Sequence, residues 1–243
     1  MKKPGFTMAE VLITIGIIGL VAALTFPILI KQYNYKITET RLKKFYTTIN
    51  QAVMLAEVKY GDKTSWYEDL AGSSIDSDGN PIEGSSQAEK WFKKYLGSNL
   101  NAAGYEIDKT GRLLVHFADG STLMQASKST TRDWLFFPSN ADKCIKQFEK
   151  LRSNAIGICL FPFNFSPQER NYEIGYKSWK HHINKGFEPW KYKWDGTVTS
   201  LWEGCRGTHI SVNDDSPSVY FCTALIQYYG WSIPKNYPKN IHY

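Results

Sequence analysis

The chain opens with an almost unbroken apolar run from Val11 to Ile30 and then turns periodic. Twenty residues at 1.5 Å each can cross a hydrocarbon core of about 30 Å. Beyond the run, Ile37, Leu42, Phe45, Ile49, Val53 and Ala56 recur at steps of three to five, while Lys36, Glu39, Arg41, Lys43, Lys44 and Asn50 fill the other faces. That is the signature of an amphipathic helix with one buried stripe. Gly61 supplies a C-terminal stop. The pattern predicts one helix from Phe6 to about Tyr60, roughly 80 Å long. Pro27, which lacks an N–H, should bend or loosen it.

Downstream the period changes. Residues 62–86 are rich in Gly, Ser and Asp and read as an irregular surface segment. Within it, Asp76-Ser-Asp78-Gly-Asn80 is a solvated turn; it lacks the later glutamate of a calcium loop, and Pro81 stands where a glycine is needed. Ser86-Gln-Ala-Glu89 is a capping box that opens a short helix through Trp91, Phe92, Tyr95 and Leu96, with Gly97 closing it. Leu113–Phe117 and Thr122–Gln125 flank Asp119-Gly120, a hairpin signal. His116 lies within the first of these strands and reads as structural. Trp134–Phe137 and Ile156–Leu160 look like further strands, and residues 142–151 like a short helix. Asp195-Gly196 marks a second turn that leads into Thr197–Trp202. Phe221–Tyr229 fits a strand or a short helix, and the proline-rich tail after Trp231 fits neither. The expected architecture is α+β: one long helix packed on an antiparallel sheet.

The start of the chain adds chemistry to this picture. Lys2 and Lys3 precede Gly5, an aromatic Phe6 follows, and Glu10 sits at the mouth of the apolar helix. A carboxylate at the centre of a membrane helix costs about 2.5–3.5 kcal/mol on insertion scales. The cost is lower near the edge, but the residue still needs a reason. The stretch Gly5-Phe6-Thr7-Met8-Ala9-Glu10, with the apolar run and Pro27, resembles the processing signal of type IV pilins and type II secretion pseudopilins. The resemblance implies that a prepilin peptidase cuts between Gly5 and Phe6 and methylates the new Phe6 amine. Glu10 and Pro27 fall at the family's spacings from that bond. The resemblance covers about a fifth of the chain, and the rest follows the family in layout.

Local physics agrees with this reading. The lysines before the apolar run place the N-terminus in the cytoplasm by the positive-inside rule. A free amine on Phe6 could pair with Glu10 of a neighbouring subunit, which would make the carboxylate a register device. A cleaved secretory signal, ending near Val21-Ala22-Ala23, explains less: the run continues apolar to Ile30, and Glu10 is left without a role. An uncleaved anchor leaves Glu10 equally unexplained.

Four cysteines, Cys144, Cys159, Cys205 and Cys222, all follow the apolar run. An even number on an oxidising side suggests two disulfides, with three possible connectivities. Proximity favours Cys144–Cys159 and Cys205–Cys222, and the latter loop resembles the disulfide-bounded loop of pilins. A zinc site from Cys205, His209, His181 and His182 has poor ligand spacing and no CxxC, so no metal and no cofactor is expected. The net charge of +6 falls to +4 once Lys2 and Lys3 leave with a leader. No dense basic run marks a nucleic-acid surface. The nearest candidate, Tyr176–His182 continuing through Trp190–Trp194, places lysines beside aromatics, as single-stranded DNA binders do. The preferred expectation is a plain β-hairpin with one aromatic and one lysine face, which needs no ligand. Nucleotide-binding, hydrolase and metalloprotease motifs are missing, and Cys159 with His181 makes a poor dyad if the thiol is bonded. The chain therefore reads as non-enzymatic.

The organisation expected is a leader at 1–5, a membrane and filament-core helix at 6–30, an amphipathic half at 31–60 and a periplasmic pilin-like domain at 61–243. The resemblance implies a filament subunit of the bacterial inner membrane. Its partners would be prepilin peptidase, copies of itself or other pilins, an assembly platform and the lipid bilayer. The other reading is an anchored or filament-tip head binding DNA or a glycan through residues 176–194 and the Cys205–Cys222 loop.

Overall fold

The computed structural model describes residues 5, 7–168, 179–207, 209–211, 214–218 and 220–243. Helix α1 (Met8–Tyr60) is continuous over 53 residues and runs through Pro27. It ends at Gly61, whose φ of 79° favours glycine and whose N–H donates to the Glu57 carbonyl at 3.0 Å. Of the stripe read from the sequence, Leu42, Phe45, Ile49, Val53 and Ala56 are buried, joined by Thr38 and Ala52, while Ile37 is only partly covered.

A six-stranded antiparallel meander packs on that stripe. It comprises β1 (Ala102–Ile107), β2 (Leu113–Phe117), β3 (Thr122–Gln125), β4 (Asp133–Phe137), β5 (Phe161–Phe165) and β6 (Phe187–Pro189), in spatial order as in sequence. Alternation along the strands sorts side chains to two faces. Val115 pairs with Leu123 and Leu123 with Phe136, and all three belong to the core shared with α1. Leu114 pairs with Met124 and Met124 with Leu135, and these face a smaller core under α3 (Ala141–Lys150). Phe45 stacks on Phe136 at 4.3 Å and meets Phe163 edge-on at 5.0 Å. Each such pair adds about 0.5–1.5 kcal/mol beyond burial. Asn50 joins helix to sheet edge: its amide donates to the Phe187 carbonyl and its oxygen accepts from the Phe187 N–H, both at 2.9 Å.

Helix α2 (Gln87–Tyr95) begins at Ser86, whose Oγ accepts from the Glu89 N–H at 3.2 Å, but only this half of the expected box forms, because the Glu89 carboxylate accepts from Lys93 instead. Helices α4 (Val198–Arg206) and α5 (Cys222–Tyr228) follow β6, with a ribbon of β7 (His209–Ser211) and β8 (Asp214–Ser218) between them. The disulfides are Cys144–Cys159, which ties α3 to the turn after it, and Cys205–Cys222, which ties α4 to α5.

Several expectations need correction. Residues 156–160 form a turn closed by an Ile156–Leu160 bridge, and the strand begins only at Phe161. Gly157 forces this: its φ is +73°, and a Cβ there would lie 2.4 Å from the Cys222 sulfur. Residues 198–206 are helical despite Val198 and Thr199. Thr197 Oγ1 accepts from the Ser200 N–H, and the Asp195 carboxylate accepts from the Thr197 N–H, the Thr197 hydroxyl and the Ser200 hydroxyl. The segment 62–86 is not wholly superficial, because Trp66 and Leu70 enter the core. Trp66 stacks on Tyr95 at 4.6 Å.

Candidate functional surface

The largest unpartnered feature is the first half of α1. Its most apolar 18-residue window is bare on all sides. Leu12, Ile18 and Leu24 are 65%, 67% and 66% exposed. By length and composition this segment can cross a membrane or serve as a signal anchor.

Glu10 stands in the first turn of that helix. Thr7 is the N-cap, and its hydroxyl oxygen accepts from the Glu10 N–H at 3.3 Å. The Glu10 carboxylate accepts in return from the Thr7 N–H and hydroxyl, both at 2.8 Å. This reciprocal box satisfies orphan donors at the helix start and sets a negative charge against the positive end of the helix dipole. The sequence carries the signal openly as Thr7-Met8-Ala9-Glu10, the same spacing as Ser86–Glu89. Gly5 is described without close neighbours. Phe6, the expected cleavage and methylation site, lies outside the described residues. Pro27 lies inside the helix where expected.

The aromatic-basic segment is turned inward in part, while Lys180 stays exposed. Residues 169–178 lie outside the described residues, so Tyr176 to Ser178 are not placed. Beyond them, Trp179, His182 and Lys191 are 4%, 0% and 7% exposed. The described part is not a hairpin: residues 179–184 form a turn, and β6 pairs with β5 instead. The Lys191 ammonium donates to Glu188 at 3.0 Å, Tyr46 donates to the other Glu188 oxygen at 2.7 Å, and both partners are buried or half-buried. Burial draws Lys191 below the usual lysine range, with Glu188 opposing. Burial and Glu188 together push the Tyr46 hydroxyl well up. His182 packs edge-on against Trp179 at 5.0 Å, and burial holds its imidazole well below its ordinary value, so it is neutral. His181 approaches the Trp194 carbonyl at 3.1 Å. With Cys205 bonded to Cys222, no thiolate is left for a zinc site there. Among the described residues no three His, Cys, Asp or Glu side chains converge. His116 bridges Thr122 at 3.1 Å and Glu106 at 3.3 Å within the sheet.

Taken together, the molecule is a disulfide-bonded α+β domain carried on a helix that extends, bare and apolar, well beyond it. The chain belongs to a family of unknown function (DUF6613), whose match spans residues 28–241. That match begins one residue past Pro27 and covers the packed half of α1 and the domain. No curated protein and no solved structure matches the chain.

Proposed function

We propose that this chain is a structural subunit of a type IV pilus-like or type II secretion pseudopilus filament. In this reading prepilin peptidase cuts between Gly5 and Phe6 and methylates Phe6. The bare half of α1 holds the subunit in the inner membrane, with Lys2 and Lys3 on the cytoplasmic side and the domain in the periplasm. An assembly platform then transfers it into a filament of similar subunits. The observation that carries the proposal is the bare apolar half of α1 with one carboxylate, Glu10, at its first turn. Lipid covers that surface in the membrane, and neighbouring helices cover it in a filament. Glu10 then exchanges its bond to Thr7 for the Phe6 amine of the next subunit. The inward packing of Trp179, His182 and Lys191 favours this reading over a DNA- or glycan-binding head.

The test is the intact mass and N-terminal sequence of the protein from its native envelope. A start at N-methylated Phe6 is expected. A start at Leu24, or an intact Met1, overturns the proposal. In the assembled system, Glu10→Ala should insert normally and fail to form filaments. Wild-type filament yield from that variant would remove Glu10 from the mechanism.

A further inference from the structure

The C-terminal tail returns to α1 where the apolar run ends. Tyr35 donates to the Lys239 carbonyl at 3.3 Å, Thr38 and Tyr243 share a hydroxyl bond of 2.5 Å, and the Ile233 N–H donates to Glu39 at 2.8 Å. Between helix and tail lies an open groove of about 590 Å³, lined by Pro27, Ile30, Lys31, Tyr35, Lys239 and His242 among others. No Asp or Glu lines it. Among the described residues, Lys31, Lys239 and His242 have no carboxylate partner. Lys31 instead lies over the Tyr35 ring at 5.5 Å, and His242 Nδ1 faces the Asn240 carbonyl at 2.9 Å. Lys239 is half-buried, and burial alone draws its ammonium below the usual lysine range. A cation held this way lacks a counter-ion.

The groove's position selects the anion. Ile30 is the last residue of the apolar run, so the floor at Pro27 and Ile30 belongs to the hydrocarbon edge. From Pro27 to Asn34 the helix climbs about 10 Å, comparable with a leaflet's headgroup layer of roughly 5–8 Å. Tyr33 and Tyr35 stand where amphipathic rings mark a membrane interface.

We infer that this groove binds the phosphate of an anionic phospholipid, with Lys31 and Lys239 as the charged contacts, at the leaflet where α1 leaves the membrane. The inference rests on the membrane-spanning reading of residues 8–30. The acyl chains would run down α1 beside Ile30, and the headgroup would lie between helix and tail. Bound lipid would fix the height of the domain above the bilayer.

The test uses the full chain reconstituted into nanodiscs of phosphatidylcholine alone or doped with phosphatidylglycerol. Lipid retained through detergent extraction is read by native mass spectrometry. Phosphatidylglycerol should be retained in preference to phosphatidylcholine. Lys31→Gln with Lys239→Gln should weaken that preference about 25-fold, or about fivefold per lysine. Tryptophan fluorescence checks that the variant is folded, and Lys36→Gln with Lys43→Gln, both outside the groove, is the charge-matched control. Equal retention of the two lipids overturns the inference, as does an equal loss in the Lys36 and Lys43 double variant. Inorganic phosphate that competes as strongly as the lipid overturns the lipid as the source of the anion. A chain that fails to insert into phosphatidylcholine discs overturns the membrane reading and the groove's assignment with it. Insertion without lipid preference overturns the groove alone.

Discussion

Along α1, residues before Asn34 and residues after it share one helical backbone and bury opposite amounts of surface. Leu12 and Ile18 stand about two-thirds exposed, whereas Leu42 and Ile49 are fully covered. Leucine and isoleucine serve both halves, so composition alone does not separate them. Spacing does. An apolar residue at every position has no preferred side and suits a surroundings that is apolar all round. An apolar residue every third or fourth position suits a partner on one side. The difference shows that pattern alone separates the half of a helix that packs on the domain from the half the domain leaves bare.

That contrast is open to direct attack. Phe45→Ala should destabilise the domain by about 3–5 kcal/mol, the usual cost of deleting a buried aromatic ring. Ile18→Ala should change it by less than about 0.5 kcal/mol. Urea denaturation in detergent, followed by tryptophan fluorescence, compares them, and similar losses in the two variants would erase the distinction between the halves. Replacing Cys144 and Cys159 together by serine should cost about 3 kcal/mol in the same assay, from the closed loop of 15 residues. Membrane insertion of that double variant should be unchanged, because the bond acts only on the domain.

A finer probe is Asn50→Ala, which removes the paired bonds to Phe187 and should cost about 2 kcal/mol. Hydrogen exchange should rise at Phe187 and Glu188 and stay unchanged before Asn34. An even rise along the whole helix would mean that the halves melt together. The smallest effect concerns Asp119, which bonds Lys44 on the packed half at 2.9 Å. Burial works to raise its pKa, but the Ser121 hydroxyl, the Lys44 ammonium and the Ser121 N–H outweigh it and hold the carboxyl at about 2. A carboxyl depressed in the fold stabilises it above its ordinary value of 3.8, and the contribution disappears as pH falls through about 2. Asp119→Asn should therefore flatten the acid limb of the stability profile between those values and leave the neutral region nearly level.

Local signals were legible wherever one residue type solves a backbone problem. Gly61 stops α1, Ser86 and Glu89 start α2, and Asp119-Gly120 turns the β2–β3 hairpin. The cysteine pairing favoured by proximity is the one the structure contains. Legibility failed where distant contacts decide. Residues 156–160 look like a strand in isolation, yet Cys222 and the Tyr237 hydroxyl press on Gly157 from 65 and 80 residues away. The true strand β5 contains Pro162, which argues against a strand until β6 is seen to be only three residues long. The lysines that make the aromatic-basic segment a candidate contact surface are visible in sequence. The Glu188 carboxylate that turns Lys191 inward gives no such sign. The membrane-length run is plain in the sequence, and the Thr7–Glu10 box beside it is spelled by the same Ser/Thr-x-x-Glu spacing as Ser86–Glu89.

The tail's return to α1 has a mechanical consequence. The bonds from Tyr35, Thr38 and Glu39 to residues 233–243 lie just where the bare rod enters the domain. Residues 233–243 thus sit as a collar on a shaft, holding the helix at the rim of the domain.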